Sequence, residues 1–539
     1  MTGRRRRLGA AAVTVLALLL PAAASASVAR DARLARAGIS HGLRRHWLKP
    51  ANAARYRRDV TVAVRDVSRL PKLRGRIVAA QLAQLTPLWD SYTSPRALAL
   101  FSQLEENLAY LETNRIPAAK TDVTGSDGVV YRWFDGQGLE FHPLASFSQL
   151  NNLAASQDSA DAQALAAALV ARAIPHGRGL VWEYAFPFGS GRPPWTSGMA
   201  QAVAAQALSR AGTLLGQPSL LTAAARAFQA IRGQLVLPLS TGPWIRLYGF
   251  DREIVLNAQL QAIVSLGEYA RATDDPNASA LASALAASAQ ALLPRFDTGD
   301  WSLYELGGAD ASRDYQTLVT SLLAKLAAQT GDPFWIDTAQ RFHDYLYEPA
   351  QVVEGTPPPT AYPQPADGWL DTVAIPVTLS KRASVTLSIA GKVLTYRLGG
   401  GAHVLTWTPG PTVRPGTYTP QVATLDRAGN RATFKLAPVT VAWDTAPPQL
   451  TVGLDGPNAS WQWTDPGTPW VELQVQLTDP AGVNAPQTID LGKQSNVGAP
   501  TTGGIALAPP PGTWQAVLTA TNSAGQTATV PLGTLTMPG

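Results

Sequence analysis

The stretch GQPSLLTAAARAFQAI (Gly216–Ile231) recurs as DDPNASALASALAASA (Asp274–Ala289) and again as GDPFWIDTAQRFHDYL (Gly331–Leu346). Its prolines stand at 218, 276 and 333, spacings of 58 and 57 residues. In each copy a helix ends, a tight turn places Pro at a helix start, and a second helix follows. A hairpin repeated at constant spacing has an apolar side it cannot bury alone. The copies must therefore stack into a solenoid or close into an α/α toroid. Around them, from about Pro95 to Tyr347, Ala and Leu dominate at helical spacing, as in Leu98, Phe101, Leu104 and Leu108.

The segments between hairpins, 178–196, 236–253 and 297–313, are long and rich in Trp, Tyr, Gly and charge. Long inter-helix loops are often functional, and loops on one end of a toroid converge on its central funnel. The first contains WEYAFPFGSGRPPWTSGMAQ (Trp182–Gln201), which sets rigid aromatic faces on glycine hinges at a helix mouth. Such a loop suits a flat, hydroxyl-rich ligand such as a sugar, or it plugs one end of a helical barrel.

After Tyr347 the texture changes. A Pro-rich linker, 349–367, precedes short β-branched and aromatic runs with Gly, Pro and Asn punctuation. PGTYTPQVATLDRAGNRAT at Pro415 realigns without gaps on PGTWQAVLTATNSAGQTAT at Pro511, an offset of 96 residues, about one immunoglobulin-like domain. The fold class read from the chain is multidomain: an α/α toroid over 95–348, then two immunoglobulin-like β-sandwiches at 368–445 and 446–539. In them D-x-A-G-N reads as a hairpin turn, and Trp461, Trp463 and Trp470 read as core in preference to an exposed glycan-binding set.

Arg4 to Arg7, an apolar run from Leu8 to Leu20 and Ala24-Ser25-Ala26 read as a secretory signal peptide cut after Ala26, hence an extracellular protein. No other segment reads as a membrane span. Without Arg4 to Arg7 the formal charge falls from +6 to +2, which gives no support for nucleic-acid binding. The remaining basic excess gathers in a helical segment at 27–94, around Arg44, Arg45, Arg57 and Arg58. It solvates a helix face or holds an anionic polymer. The absence of cysteine excludes disulfides and thiolate metal sites. There is no H-E-x-x-H, G-x-S-x-G or Gly-rich phosphate loop. No metal site is expected, and His142 and His176 read as satisfied structural residues.

What the loops share is tyrosine beside arginine: Glu183, Tyr184 and Arg192 in the first, Arg246 and Tyr248 in the second, Tyr304, Arg313 and Tyr315 in the third. A phenol ionises near 10 unperturbed, and neighbouring cations lower that value. The same cations would hold a substrate carboxylate and stabilise the enediolate formed when an α-proton leaves. Tyrosines on opposite faces of one carbon would then invert it.

These residues resemble the C-terminal domain of the D-glucuronyl C5-epimerase family. Its W-x-S-x-M-A-Q helix start is similar to Trp195–Gln201, and its F-V-L-N helix to Ile254–Asn257. Its L-x-x-Y-D-T-G-S-G-T-I-Y-D-L segment is similar to Leu292–Leu306, and its R-W-D-Y-H motif to Ser312–Gln316. Upstream, FHPLASFSQLNNLA at Phe141 resembles the family's F-x-P-I segment. The chain departs where Leu247 replaces the acid before the first tyrosine, where Glu305 replaces an aspartate, and at Gly307-Gly308. The resemblance implies an α/α toroid that turns D-glucuronate into L-iduronate within a polysaccharide, without an organic cofactor, in a protein that commonly dimerises. Carried over, Tyr248, Tyr304 and Tyr315 are the acid/base residues. Arg246 and Arg313 clamp the carboxylate, and Trp182, Tyr184, Phe188 and Trp195 form a sugar platform. Glu183, Arg192, Gln201, Asn257 and Glu305 complete the expected substrate contacts. A uronate lyase, which shares the proton abstraction, and a non-catalytic glycan-binding protein are the alternative readings.

Overall fold

A computed structural model describes residues 11–538, with side chains from Ser27 onward. The expected leader, Met1–Ala26, lies outside the residues described in full. Among the described residues no helix is long and apolar enough to cross a membrane. The chain divides into two compact units, Met1–Phe342 and His343–Gly539, the division falling within the last helix.

The first unit is helical. Helices α1 (Ala11–Arg44), α2 (Pro50–Arg69), α3 (Lys72–Leu85) and α4 (Ser94–Thr113) precede a three-stranded antiparallel sheet of β1 (Asp122–Thr124), β2 (Val130–Phe134) and β3 (Gly138–Phe141). Four helix pairs follow: α5 (Pro143–Ala155) with α6 (Ser159–Ala171), α7 (Gly198–Leu215) with α8 (Pro218–Gln234), α9 (Leu256–Thr273) with α10 (Pro276–Leu292), and α11 (Arg313–Thr330) before α12 (Pro333–Tyr347). Helices α5, α7, α9 and α11 pack side by side as an inner row, and α6, α8 and α10 each back onto their own partner. The turns explain the repeat. Gly216, Asp274 and Gly331 end inner helices in the left-handed conformation at φ +61°, +52° and +65°, and Pro218, Pro276 and Pro333 open the next helix. The first pair makes the same turn with Gln157 at φ +60° and Ser159 in place of Pro, so the repeat is fourfold.

The expected loops between pairs are largely β-ribbons. β4 (Ile174–His176) pairs with β5 (Gly179–Val181), and β6 (Val236–Leu239) pairs with β7 (Gly242–Ile245). Each ribbon is fastened by one polar side chain at the fourth residue of the inner helix that follows it. The Ser146 hydroxyl accepts the Val130 N–H at 3.1 Å, and the Gln201 carbonyl accepts the Trp182 N–H at 3.2 Å. Gln259 accepts from Ile245 N–H at 2.7 Å and Gln316 from Ser302 N–H at 3.1 Å. Gln259 also donates to the Leu285 carbonyl of α10 at 2.8 Å, tying ribbon, inner helix and outer helix together.

The second unit is strand-rich. Around one core that includes Ile375, Val385, Leu387 and Trp407 lie a four-stranded sheet, a three-stranded sheet and a strand pair. Around another, with Trp463, Val471, Leu473 and Trp514, lie a three-stranded and a four-stranded sheet. Trp461 joins this second core, whereas Trp470 is only half-buried under the Lys493 ammonium. The Pro-rich stretch is not a bare spacer, because Val352–Glu354 pairs with Val373–Leu379. The repeated turn is visible twice: Asn430 N–H donates to the Asp426 carboxylate and Gln526 N–H to the Asn522 amide oxygen, over Gly429 and Gly525 at positive φ.

Replacing Gln259 by Leu strands the buried Ile245 N–H without a partner. A loss of about 1–3 kcal/mol in the stability of the helical unit is expected, read from the urea dependence of its helical circular dichroism. An unchanged midpoint would remove the pin from the account.

Candidate active site

The pinned N–H groups set what comes next in each ribbon. Two residues beyond Val130, Trp182, Ile245 and Ser302 stand Arg132, Tyr184, Leu247 and Tyr304, and all four line one cleft of about 260 Å³. Neighbouring backbones are stitched together around it. Gly198 N–H donates to the Arg246 carbonyl at 3.0 Å and Gly249 N–H to that of Thr196 at 2.7 Å, which sets Tyr248 beside Trp195. A Cβ on Gly198 would stand 2.5 Å from the Arg246 carbonyl oxygen, so this approach requires glycine. Leu306 N–H donates to the Ile254 carbonyl at 2.9 Å, fixing the Tyr304 loop against the start of α9.

Tyr248, Tyr304 and Tyr315 all reach the cleft, with the Tyr304 and Tyr315 rings 4.7 Å apart between centroids. Tyr315 is 36% exposed. Burial holds the Tyr248 and Tyr304 phenols well above the ordinary range, reinforced by neighbouring phenols and carboxylates. This corrects the expectation that flanking arginines would lower them. Arg246 turns inward, Nη1 donating to the Asp251 carbonyl at 3.1 Å, so it braces the Tyr248 loop. Arg313 is exposed at the first turn of α11 and does not line the cleft.

The cation in the cleft is Arg132, with Lys120 beside it. Asp122, its cross-strand neighbour, takes Nε at 2.6 Å and Nη2 at 2.8 Å. Nη1 has no protein partner among the described residues. Sequence reasoning passed over both cations. Strand alternation puts Tyr131 and Trp133 in the core and turns Arg132 and Phe134 to the cleft side.

His142, the N-cap of α5, is a second residue the sequence reading left structural. Its Nδ1 accepts the Ala145 N–H at 3.1 Å, which assigns the proton to Nε2. Burial, helped by Arg132, depresses its pKa to about 3, so the ring is neutral and offers an N–H donor to the cleft. Asn257 is buried in the same wall, and its Oδ1 has no partner among the described residues. Four helices, α5, α7, α9 and α11, point their N-termini here, and their positive ends favour an anion.

Of the other expected contacts, Tyr184, Phe188 and Trp195 line the cleft, with Tyr184 stacked on Trp195 at 4.1 Å. Both of those rings are also packed into an aromatic cluster with Phe186, so the loop is wall and plug at once. The remainder stand elsewhere. Trp182 is buried against Phe147, its indole N–H on the Leu169 carbonyl, and Gln201 is a ribbon pin. Glu183 is paired with Arg96, Arg192 is exposed, and Glu305 folds against Gly308. Among the described residues no group of three or more His, Asp or Glu is arranged to hold a metal.

Residues 176–344 match the family model of the D-glucuronyl C5-epimerase C-terminus. This segment belongs to that family. The epimerase-family segment contains all four cleft tyrosines, Tyr184, Tyr248, Tyr304 and Tyr315, while Lys120, Arg132 and His142 lie upstream of it. No curated protein matches the chain. Among solved structures it is similar to an endoglucanase from Komagataeibacter sucrofermentans, at 12% identity and TM-score 0.28 over 37% of this chain and 71% of that one. A GH76 α-mannanase of Bacteroides thetaiotaomicron matches at 11% identity and TM-score 0.30 over 38% and 59%. A D-mannose isomerase matches at 15% and 0.30 over 39% and 60%. The chain thus spans about three-fifths of the length of the last two.

The His142 ring sets an acid limit on stability. Unfolded histidine binds a proton near pH 6.5 and the folded site only near 3, so the unfolded state takes up more protons between those values. The contribution is complete above pH 6.5 and falls by about 1.4 kcal/mol per pH unit as pH drops. His142→Asn keeps a capping oxygen and should flatten the stability profile between pH 6.5 and 5. An undiminished slope in that variant would contradict the assignment.

Proposed function

We propose that the cleft inverts C5 of D-glucuronate residues within a polysaccharide, by taking the α-proton on one face and returning one on the other. The observation that carries this reading is the meeting of Tyr248, Tyr304 and Tyr315, from separate segments, in one cleft with the Arg132 guanidinium. Arg132 interacts electrostatically with Tyr315, so it is placed to offset negative charge on that phenol oxygen. In this reading Tyr315 as phenolate removes the C5 proton. The C–H electron pair moves into the carboxylate to form an enediolate, which Arg132 and the His142 Nε2–H stabilise. Tyr304, held protonated by burial, then donates its proton to the opposite face of C5 as the enediolate electron pair returns to that carbon, with Tyr248 alongside in the cleft. The unpartnered Asn257 oxygen suits a sugar hydroxyl.

The same reading takes the helix pairs as an α/α toroid, the strand-rich unit as two immunoglobulin-like sandwiches and the protein as secreted. The family match and the helix-pair architecture support the first of these.

Incubation with heparosan or another glucuronate polymer in D₂O should place deuterium at C5, seen by NMR. Tyr304→Phe and Tyr315→Phe should each lower exchange about 10²- to 10⁴-fold with the circular dichroism unchanged. Full exchange in both variants refutes the assignment, and absorbance from an unsaturated uronate would show a lyase instead. Arg132→Gln should raise KM about 10- to 100-fold, the worth of a hydrogen bond to a charged group. Arg313→Gln should leave KM unchanged.

A further inference from the structure

The first three helices carry a charge imbalance that the cleft does not use. Residues 27–94 hold 14 Lys and Arg against 4 Asp and Glu, whereas residues 95–539 hold 26 against 34. On α1, Arg33, Arg36, Ser40 and Arg44 follow one another at helical spacing along one face. That face meets α2 at a seam with two crossing bonds. Arg36 Nη2 donates to the Thr61 hydroxyl at 3.2 Å, and Arg57 Nη2 donates to the Ser40 hydroxyl at 3.1 Å. Each hydroxyl passes its own proton to a carbonyl of its helix, Thr61 to Arg57 and Ser40 to Arg36.

Two guanidiniums are thus laid along the seam, each held by a neutral oxygen. Arg33, Arg36, Arg44 and Arg57 form no ion pair among the described residues. The nearby acids face elsewhere: Asp31 bonds Arg30, Asp66 bonds Arg65 and Arg69, and Asp59 faces Glu105 of α4 and Arg55. From Arg33 to Arg44 the row runs about 16 Å at 1.5 Å per residue. Guanidinium forks held in place match carboxylates spaced along a polymer.

We propose that the α1–α2 seam is a second binding surface, which grips a carboxylated polysaccharide remote from the reacting sugar. The choice of occupant rests on the reading of the cleft as a uronate site. A polymer held at both places binds the second one intramolecularly, so long chains gain affinity that short ones do not. An anionic membrane is the competing occupant of a basic face.

The test compares full-length protein with an Arg36→Gln/Arg44→Gln/Arg57→Gln variant. A control variant, Arg178→Gln/Arg295→Gln/Lys325→Gln, removes three exposed cations elsewhere. Affinity for long-chain heparosan and for polygalacturonate is measured against salt, with dextran and phosphatidylglycerol vesicles alongside. The seam variant should lose about tenfold or more in long-chain affinity and show a shallower salt dependence. The control variant and deuterium exchange on short oligosaccharides should be unaffected. Equal loss in the control, no loss at the seam, binding of neither polymer, or a seam that governs only vesicle binding would overturn it. Seam-dependent polymer binding without any C5 exchange would instead sink the cleft reading and leave this one standing. Exchange on short chains with seam-independent affinity would do the reverse.

Discussion

One hydrogen bond, made four times, governs where the chemistry of this molecule is presented. A side-chain oxygen in the first turn or so of an inner helix accepts the backbone N–H of the ribbon before it, from Ser146, Gln201, Gln259 and Gln316 in turn. A ribbon entering a packed helical row brings backbone polar groups that water cannot reach. An orphaned N–H there costs about 1–3 kcal/mol, so each pin stabilises the fold. It also fixes the strand register, and register decides which side chains leave the core two residues later. Ribbon, pin and cleft position are therefore one constraint.

The electrostatics follow from the same geometry. Pinning each ribbon to the start of an inner helix gathers four helix N-termini around the cleft, a field that favours anions. Burial meanwhile raises the cost of charge on the tyrosines themselves. The cleft thus keeps Tyr248 and Tyr304 as proton donors within a field that favours anions. The neutral His142 extends this logic, since a protonated imidazole there would be a buried cation beside the Arg132 guanidinium.

Much of this was legible in the chain, for identifiable reasons. Gly216, Asp274 and Gly331, each with a proline two residues on, announce helix turns, because left-handed caps and first-turn prolines have strong residue preferences. The first copy escaped notice because Gln157 and Ser159 make the same turn without either signal. The cleft tyrosines were found through the motifs around them. Arg246 and Arg313 misled because adjacency in sequence to a tyrosine says nothing about direction. One folds back on its own loop carbonyl and the other faces solvent. Arg132 was missed because it sits in a hairpin remote in sequence from every tyrosine, and only tertiary packing brings it in.

The fourfold pin also accounts for how the cleft can differ from its relatives without refolding. Position two beyond each pin is Arg132, Tyr184, Leu247 and Tyr304: a cation, two phenols and an aliphatic group on equivalent backbone. The backbone bond that fixes the position makes no demand on its side chain, so these sites tolerate exchange of chemistry at small structural cost. Leu247, where an acid stands in the resembling family, is one such exchange. The loss of an acid beside Tyr248 removes one negative charge from the surroundings of a phenol that already feels Asp251 and Glu253, with Glu305 close to Asp251. Asp251 is itself held protonated up to about pH 6 by burial and Glu253. A further carboxylate at 247, itself only slightly exposed, would add repulsion to a cluster that already resists ionisation. An aliphatic residue there adds no charge to that cluster.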